Sequence, residues 1–439
     1  MRRPLYALYV ADAISLVGNA VALLAVPWFV LVTTGSAALT GLAVFFNFLP
    51  AVLAAFFGGV IVDRLGFRTT SVAADLASAA AVAAIPLLNS TVGIELWQLM
   101  TLVFLGALLD APGATARQAL FPDVVELAGV RMERASGIRA SIQQGSLLVG
   151  GPLGGVLVAS VGATSALWLN AASFVVSAAI VAGAIPRAKH ELDAEPPGRF
   201  LGELAEGMRF IWGHRLIRAI VLTVLITNFL DAPDPVLFPV LAREAYGGAT
   251  DLGLMYGVVG GAGLVGALAY SAVGHRLPRR LTFVGCFSVV PLMYLALATL
   301  PPLPGVLAAL AVVGFAAGPI NPLLLTVASE VVPTRLRGRV FGATRAGAWA
   351  AIPLGILLGG VVVEQIGVVA TFLAIGLCYL AVTGYGFFNP AFHDLDRRPG
   401  EVESSLDASG EGGDHAAPAH ALGGRIDVED LEHGRRDVE

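Results

Sequence analysis

Apolar runs of about 20 residues recur along most of this chain, and they restrict it to very few folds. A run of this length lets a helix cross a bilayer core about 30 Å thick. Open strand edges cannot face lipid, and the strands of a barrel would alternate polar and apolar residues, which these runs do not. The sequence therefore predicts an all-α, polytopic membrane protein, in agreement with its content of 56% hydrophobic and 13% charged residues.

The sequence lacks the motifs of ATP-driven and hydrolytic membrane proteins. Lys189 is the only lysine, and no G-x-x-x-x-G-K-[ST] precedes it, which excludes a P-loop. No H-E-x-x-H or G-x-S-x-G occurs, and Cys286 and Cys378 form neither a C-x-x-C nor a disulfide framework. We therefore expect no enzyme activity, no cofactor, no metal and no nucleic-acid partner. The energy source would be an ion or solute gradient.

Twelve membrane-spanning helices account for the apolar runs. We predict them at residues 5–33, 38–62, 70–89, 96–116, 138–161, 164–185, 216–241, 251–275, 281–300, 303–328, 339–363 and 367–388. They divide the chain into an N-terminal half (1–186), a linker (187–215), a C-terminal half (216–390) and a tail (391–439).

Basic residues mark one side of the membrane. The loops on that side carry Arg2, Arg3, Arg64, Arg68, Arg131, Arg134, Arg187, Lys189, Arg276, Arg279, Arg280, Arg335, Arg337 and Arg339. The opposite loops carry only Arg243. By the positive-inside rule, this predicts a protein of the cell membrane with both termini in the cytoplasm.

The linker and the tail differ from the two halves in composition. Residues of the linker from Phe200 to Trp212 place apolar side chains on one helical face, which predicts an amphipathic helix on the cytoplasmic surface. The tail carries thirteen acidic residues against five arginines, a net charge of −8, and few large apolar residues. That composition is typical of a disordered segment.

A charged turn occurs at the same place in each half, between the second and third spans. The first copy contains Gly59, Asp63, Arg64, Gly66 and Arg68. In the second copy only the basic positions remain, at Arg276 and Arg280. Two related halves with matching basic turns are typical of a transporter built from repeats.

These turns resemble the signature loop of the major facilitator superfamily, G-x-x-x-D-R-x-G-R-R/K, with Phe67 in place of one basic residue. The resemblance covers roughly residues 5–390. It extends to Gly151, Pro152 and Gly155 in helix 5, which is similar to an antiporter motif although the glycines after Pro152 come one position early. Further matches lie at residues 15–19 (S-L-V-G-N) and 27–28 (P-W) in helix 1, 112–123 (P-G-A-T-A-R-Q-A-L-F-P-D) at the end of helix 4, 206–210 (E-G-M-R-F) in the linker and 337–342 (R-G-R-V-F-G) before helix 11. Together these features resemble the branch of macrolide-efflux and siderophore-export proteins, and they imply two six-helix bundles.

The resemblance also implies that the charged turn closes a cytoplasmic gate. A carboxylate at Asp63 would accept hydrogen bonds from the first N–H groups of helix 11, near Arg337 and Arg339. The alternative is a solvated turn that only anchors the chain. Glycines 151 and 155, with Pro152, would let helix 5 approach a neighbouring helix closely, since small residues drive helix packing in lipid.

Polar residues inside the predicted spans are candidates for substrate binding and proton coupling. By analogy with the family, helices 1, 4, 7 and 10 line the central cavity, and the candidates on them are Asp12, Asn19, Asp110, Asn228, Asp231, Asp234 and Asn321. We rank Asp12 first for proton coupling because no basic residue lies within its own helix turn, and Asp231 second. For Asp110 we favour a structural pair with an arginine. Asp75 is expected to pair with Arg64 or Arg68.

The sequence thus predicts a secondary transporter that exports amphiphilic small molecules by alternating access, coupled to protons. Its partners are the substrate, protons and the lipid bilayer, and we expect a monomer. Two other functions remain open. One is an importer or uniporter of a defined metabolite, which would favour more hydrogen-bonding groups in the cavity. The other is a non-transporting interaction protein that works through its acidic tail.

Overall fold

The computed structural model describes residues 2–185, 200–333 and 336–396. Within these ranges the chain is helical. The N-terminal half contains α1 (Arg3–Thr34), α2 (Ala37–Leu65), α3 (Phe67–Thr91), α4 (Leu96–Ala128), α5 (Met132–Val161) and α6 (Ala163–Ala184). The linker contributes α7 (Phe200–Gly213). The C-terminal half contains α8 (Arg215–Asp231), α9 (Asp234–Ala245), α10 (Ala249–Val273), α11 (Arg279–Ala298), α12 (Leu303–Ala317), α13 (Ile320–Val331) and α14 (Arg337–Phe388).

Ten stretches of the described chain are long and apolar enough to cross a membrane, and α8–α9 and α12–α13 each count as one of them. The 52-residue helix α14 contains two spans, because Gly367 has a left-handed φ of 80° and turns the chain back. We call these spans α14a (337–366) and α14b (368–388). With α2 the total is twelve, as predicted. Arg3, α7 and residues 390–396 lie at one end of the bundle, which we call the terminal face.

Two predicted helices are each broken near the middle of their length. The predicted span 216–241 breaks between α8 and α9 at Pro233, and the span 303–328 breaks between α12 and α13 at Pro319. Proline lacks the N–H that continues a helix, and its ring displaces the preceding turn. The two breaks occur at corresponding places in the C-terminal half, and the first separates Asp231 from Asp234.

Helices α4 and α5 extend further towards the terminal face than predicted. The predicted end at 116 is wrong, because α4 continues to Ala128 and α5 begins at Met132. The extension is stabilised by packing: Leu120 and Val124 of α4 are buried beside Leu5 and Leu8 at the start of α1. The stretch 117–137, which was predicted as a loop because it is polar, therefore belongs largely to helices whose polar side chains mostly face solvent.

The linker forms a helix where one was predicted, and the structure adds its packing partner. Ile211 of α7 is buried in one cluster with Val332, which follows α13, and Val340 at the start of α14, so α7 docks on the C-terminal half. Residues Pro390–Asp396 form a 3-10 helix in which Phe392 is fully buried and stacks on Phe283 at 5.4 Å. The predicted tail boundary at 391 is thus six residues early, and the rest of the tail falls outside the described residues.

The two halves meet mainly through two pairs of helices, α5 with α10 and α2 with α14. A Cβ atom added at Gly155 would lie 2.6 Å from the carbonyl oxygen of Ala249, and one added at Gly151 would lie 2.8 Å from Cβ of Tyr256. These contacts leave no room for a side chain. Helices that share a lipid environment associate through such close backbone packing.

The last arginine of each charged turn has the same structural role. Arg68, at the start of α3, donates through Nη2 to the carbonyl of Ala182 near the end of α6. Arg280, at the start of α11, donates through Nη2 to the carbonyl of Phe387 at the end of α14b, at 2.9 Å. A cation at a helix C-terminus satisfies free carbonyls and the helix dipole. The sequence repeat is therefore also a repeat of structure.

Candidate functional site

A cavity of about 760 Å³ lies among the helices of the N-terminal half, with α14a on one side. Most of its wall is apolar. Its polar lining comes from Asn19, Asn47, Asp110, Thr115, Gln118 and Asn170. The α14a side contributes the small residues Gly342, Ala346 and Ala350. A largely apolar pocket with a few polar groups suits a drug-sized organic molecule.

One buried arginine gathers the acidic residues beside this cavity. Arg117 of α4 is only 4% exposed. Its Nε lies 3.0 Å from Asp12, its Nη1 lies 2.6 Å from Asp75, and its Nη2 lies 3.7 Å from Asp110. Removing a charge from water is costly unless partners replace the water, and the planar guanidinium fork can serve several carboxylates at once.

Two further contacts complete this cluster. Arg139 of α5 lies 3.3 Å from the second oxygen of Asp12, and the amide of Asn19 donates to Asp110 at 3.0 Å. With three carboxylates and two guanidinium groups, the cluster carries an excess of one negative charge when all five are ionised. Asp110 combines the longest ion pair with a place on the cavity wall, so the excess charge faces the cavity.

This arrangement differs from two of the expectations for individual residues and agrees with a third. Asp75 was predicted to pair with Arg64 or Arg68, but it is buried against Arg117, because α3 packs along α4. Asp12 was ranked for coupling because it has no base nearby on α1, yet two arginines from α4 and α5 contact it. Asp110 pairs with an arginine as expected, and it also lies on the cavity wall.

A different acidic cluster occupies the C-terminal half, at the break between α8 and α9. The phenolic oxygen of Tyr294 lies 3.0 Å from Asp231 and 2.8 Å from Asp234. Tyr294 is fully buried and stacks on Tyr379, with ring centroids 5.8 Å apart. Among the described ion pairs, none joins a basic side chain to either carboxylate.

The number of hydrogens at this cluster limits its protonation state. A tyrosine hydroxyl has one hydrogen and can donate it to only one of the two carboxylates. The second oxygen–oxygen contact is a hydrogen bond only when the other carboxyl group is protonated and donates to the phenol. The geometry of Asp231, Tyr294 and Asp234 therefore suits a pair of carboxyl groups that share one proton.

The remaining candidate residues lie apart from both clusters. Asn228 is half-buried and Asn321 is exposed, and neither lines the cavity. Gly59 lies within α2, and the side chains of Asp63 and Arg64 fall outside the described part of the structure. Gly66 has a φ of 78°, which allows the sharp turn between α2 and α3. At the start of α14, Arg337 donates to Ser329 and Val332 carbonyls, and Arg339 pairs with Glu206 of α7.

Sequence reasoning missed several residues of these clusters. Tyr294 and Tyr379 are ordinary members of apolar helices, and no sequence pattern separates them from tyrosines that face lipid. Arg139 was placed just inside the predicted helix 5, with no acidic residue near it in sequence. Arg117 was expected beside Asp110, since it lies seven residues later and on the same helical face, but its contacts with Asp12 and Asp75 were not.

The chain is similar to known transporters over most of its length. It matches the Major Facilitator Superfamily over residues 8–352 and 235–407. Multidrug efflux pump Tap of Mycobacterium tuberculosis is 34% identical over 403 residues, which cover 91% of this chain and 96% of the relative. Macrolide efflux protein A of Streptococcus pyogenes is 24% identical over 390 residues, which cover 86% and 93%.

Solved structures of low sequence identity share the fold. The nucleoside transporter NupG superposes with a TM-score of 0.69 at 11% identity, over 90% of this chain and 99% of that one. A bacterial homologue of the iron transporter ferroportin, in an inward-facing state, gives 0.67 at 16% identity, over 88% and 99%. With twelve spans in two related halves, and with these matches, the chain belongs to the major facilitator superfamily of transporters.

Proposed function

We propose that this protein exports amphiphilic organic molecules across the cell membrane by alternating access. The observation that carries the proposal is the cavity of about 760 Å³, whose wall is mostly apolar but contains the carboxylate of Asp110. Apolar walls accept varied hydrophobic bodies, while the unbalanced carboxylate attracts a basic nitrogen. The two relatives named as efflux proteins support the same substrate class.

To describe transport as export, we must know which end of the helix bundle faces the cytoplasm. We infer that the terminal face is cytoplasmic, since the loops there carry nearly all the basic residues. A reporter that is active only in the cytoplasm should work when fused after Asn389 or at Leu192. The same reporter inserted at Gly247 should be silent. The reverse pattern at any of these sites would contradict the twelve-span orientation.

We further propose that protons drive export and that Asp231 and Asp234 carry them. Protonating Asp12 would weaken two ion pairs, with Arg117 and Arg139. The Asp231–Asp234 pair has no such cost, and its contact with Tyr294 already suits a shared proton. The structure therefore favours Asp231 over Asp12, which reverses the order expected from sequence.

A direct test uses purified protein in proteoliposomes with a controlled pH gradient. Adding an amphiphilic amine should release protons, and an imposed gradient should drive uptake of the amine against its concentration. In cells, expression in an efflux-deficient host should raise tolerance to such compounds. Tolerance at the level of the empty vector, with the protein present in the membrane, would rule out export of the compounds tested.

A further inference from the structure

The turn between α1 and α2 is held by two charged side chains from the other half of the protein, at the face opposite the termini. Arg243, near the end of α9, donates through Nη1 to the carbonyl of Leu31 at 2.5 Å. Glu364, near the end of α14a, accepts from the backbone N–H of Ala38 and from the hydroxyl of Ser36, both at 3.1 Å.

Each charge matches the helix end that it contacts. The last carbonyls of a helix and its first N–H groups lack partners within the helix, and they carry partial negative and positive charge respectively. Arg243 therefore places its cation on the C-terminus of α1, where Gly35 already donates to the same Leu31 carbonyl at 2.9 Å. Glu364 places its anion on the N-terminus of α2.

Close backbone packing brings these groups into range. One turn from Glu364, a Cβ atom added at Gly41 of α2 would lie 3.1 Å from Cα of Gly360 in α14a. Any separation of the halves at this face would lengthen the Gly41–Gly360 contact and both charged contacts together. The two side chains are exposed, so the contacts can break in water without leaving a buried charge.

We propose that Arg243 and Glu364 form an outer lock, which holds the two halves together at the external face and releases as a unit when the cavity opens outward. The lock rests on the alternating access of the proposed function. It makes no use of substrate or proton, so it can be tested without either. Its function is to set the balance between inward-open and outward-open states.

The test measures access to the cavity from outside intact cells. In a background of Cys286→Ser and Cys378→Ser, the variant Ala107→Cys places one thiol on the cavity wall. A membrane-impermeant maleimide added outside reports how often the external face opens. Glu364→Gln and Arg243→Gln should each speed labelling about two- to fivefold, the range for a charge at an exposed helix end.

Glu244→Gln is the matched control, because it neutralises an exposed neighbour of Arg243 and should leave the labelling rate unchanged. Inverted vesicles should show the opposite trend, with slower labelling of the same thiol in both lock variants. Unchanged or slower external labelling in both variants, at wild-type membrane levels, would overturn the lock. Normal lock behaviour without efflux of any compound would instead count against the proposed function alone.

Discussion

Arg117 and Tyr294 organise the acidic residues of the two halves in different ways. Arg117 places a fixed positive charge among three carboxylates, helped by Arg139. Tyr294 offers only a hydroxyl to two carboxylates, and this contact geometry suits a shared proton. One half thus places a carboxylate of its cluster on the cavity wall, while the cluster of the other half is the one that we propose to carry protons.

The residue-scale prediction for substrate choice concerns Asp110. Asp110→Asn should lower export of amphiphilic amines severalfold and leave neutral compounds of similar size much less affected. The reason is that the amide fills the same space and can still bond to Asn19, but it removes the negative charge on the cavity wall. Efflux rates for matched charged and neutral substrates check this.

Asp123→Asn serves as the control for Asp110→Asn. It removes an acid from the same helix α4, on the exposed terminal end and away from the cavity. Both variants should reach wild-type membrane levels. An equal loss for charged and neutral compounds in Asp110→Asn would show that the carboxylate is structural rather than selective.

The second residue-scale prediction concerns Tyr294. Tyr294→Phe keeps the ring that stacks on Tyr379 but removes the hydroxyl between Asp231 and Asp234. We expect the pH profile of gradient-driven transport to shift, while exchange of substrate down its own gradient stays within about twofold. Asp231→Asn should abolish uphill transport. If Tyr294→Phe in proteoliposomes has the same pH profile as the wild type, the phenol takes no part in proton handling.

Sequence reasoning could find charged residues within spans but not their partners. Asp12 and Asp110 stand out because acids are rare in apolar helices. The partner of each depends on how α1, α3, α4 and α5 pack, and that is set by side chains far apart in sequence. Asp75 and Arg117, 42 residues apart, illustrate this, since the nearer arginines were the natural choice.

At the scale of elements, helix α5 carries glycines on two different faces. Gly150 and Gly154 face α1 within the N-terminal half, with Gly154 lying against Val21. Gly151 and Gly155 face α10 across the boundary between the halves. The sequence predicted a small-residue helix but could not show that its faces serve one contact within a half and another between halves.

This difference predicts unequal effects of the same substitution on one helix. Gly155→Ala places a methyl group 2.6 Å from the Ala249 carbonyl, so the halves must shift, which typically costs about 1–3 kcal/mol. Gly145→Ala meets no atom within 4 Å and should be neutral or slightly stabilising, since alanine favours helix. Thermal midpoints in detergent measure both.

A fall in the thermal midpoint for Gly155→Ala alone would support the tight α5–α10 boundary. Transport should fall with it, because the contact lies between halves that must move relative to each other. Equal midpoints for the two variants would mean that α10 relaxes around an added methyl group. In that case the glycines of α5 would not define the distance between the halves.

Helix number could be predicted from sequence more reliably than helix shape. Each span is a long apolar run with its own hydrophobic signal. The breaks at Pro233 and Pro319 depend on how neighbouring helices accommodate a kink, since prolines elsewhere stay inside continuous helices, as Pro152 does in α5. The ends of α4 and α5 were also missed because packing, not hydropathy, continues them.

At the scale of the whole molecule, α2 and α14a form an antiparallel pair across the two halves. The C-terminal end of α14a lies near the N-terminal end of α2. At the face opposite the termini, Glu364 of α14a caps the start of α2. On the terminal face, the sequence predicts that Asp63 of α2 caps the start of α14a. The balance between inward-open and outward-open conformations depends on small differences in free energy between such contacts. These free energies depend on the packed geometry of the helix ends, which sequence alone does not give.

This pairing leads to a prediction about opposing variants. Glu364→Gln weakens the external contact and should speed external labelling of Ala107→Cys. Asp63→Asn weakens the predicted internal latch, favours the inward-open state and should slow the same labelling about two- to fivefold. Since the two sites lie at opposite faces, their effects should add, and the double variant should return towards the wild-type rate. Asp123→Asn controls for loss of any acid at the terminal face. A double variant that labels as fast as Glu364→Gln alone would show that Asp63 does not hold the internal face closed, and the outer lock would then act without a counterpart.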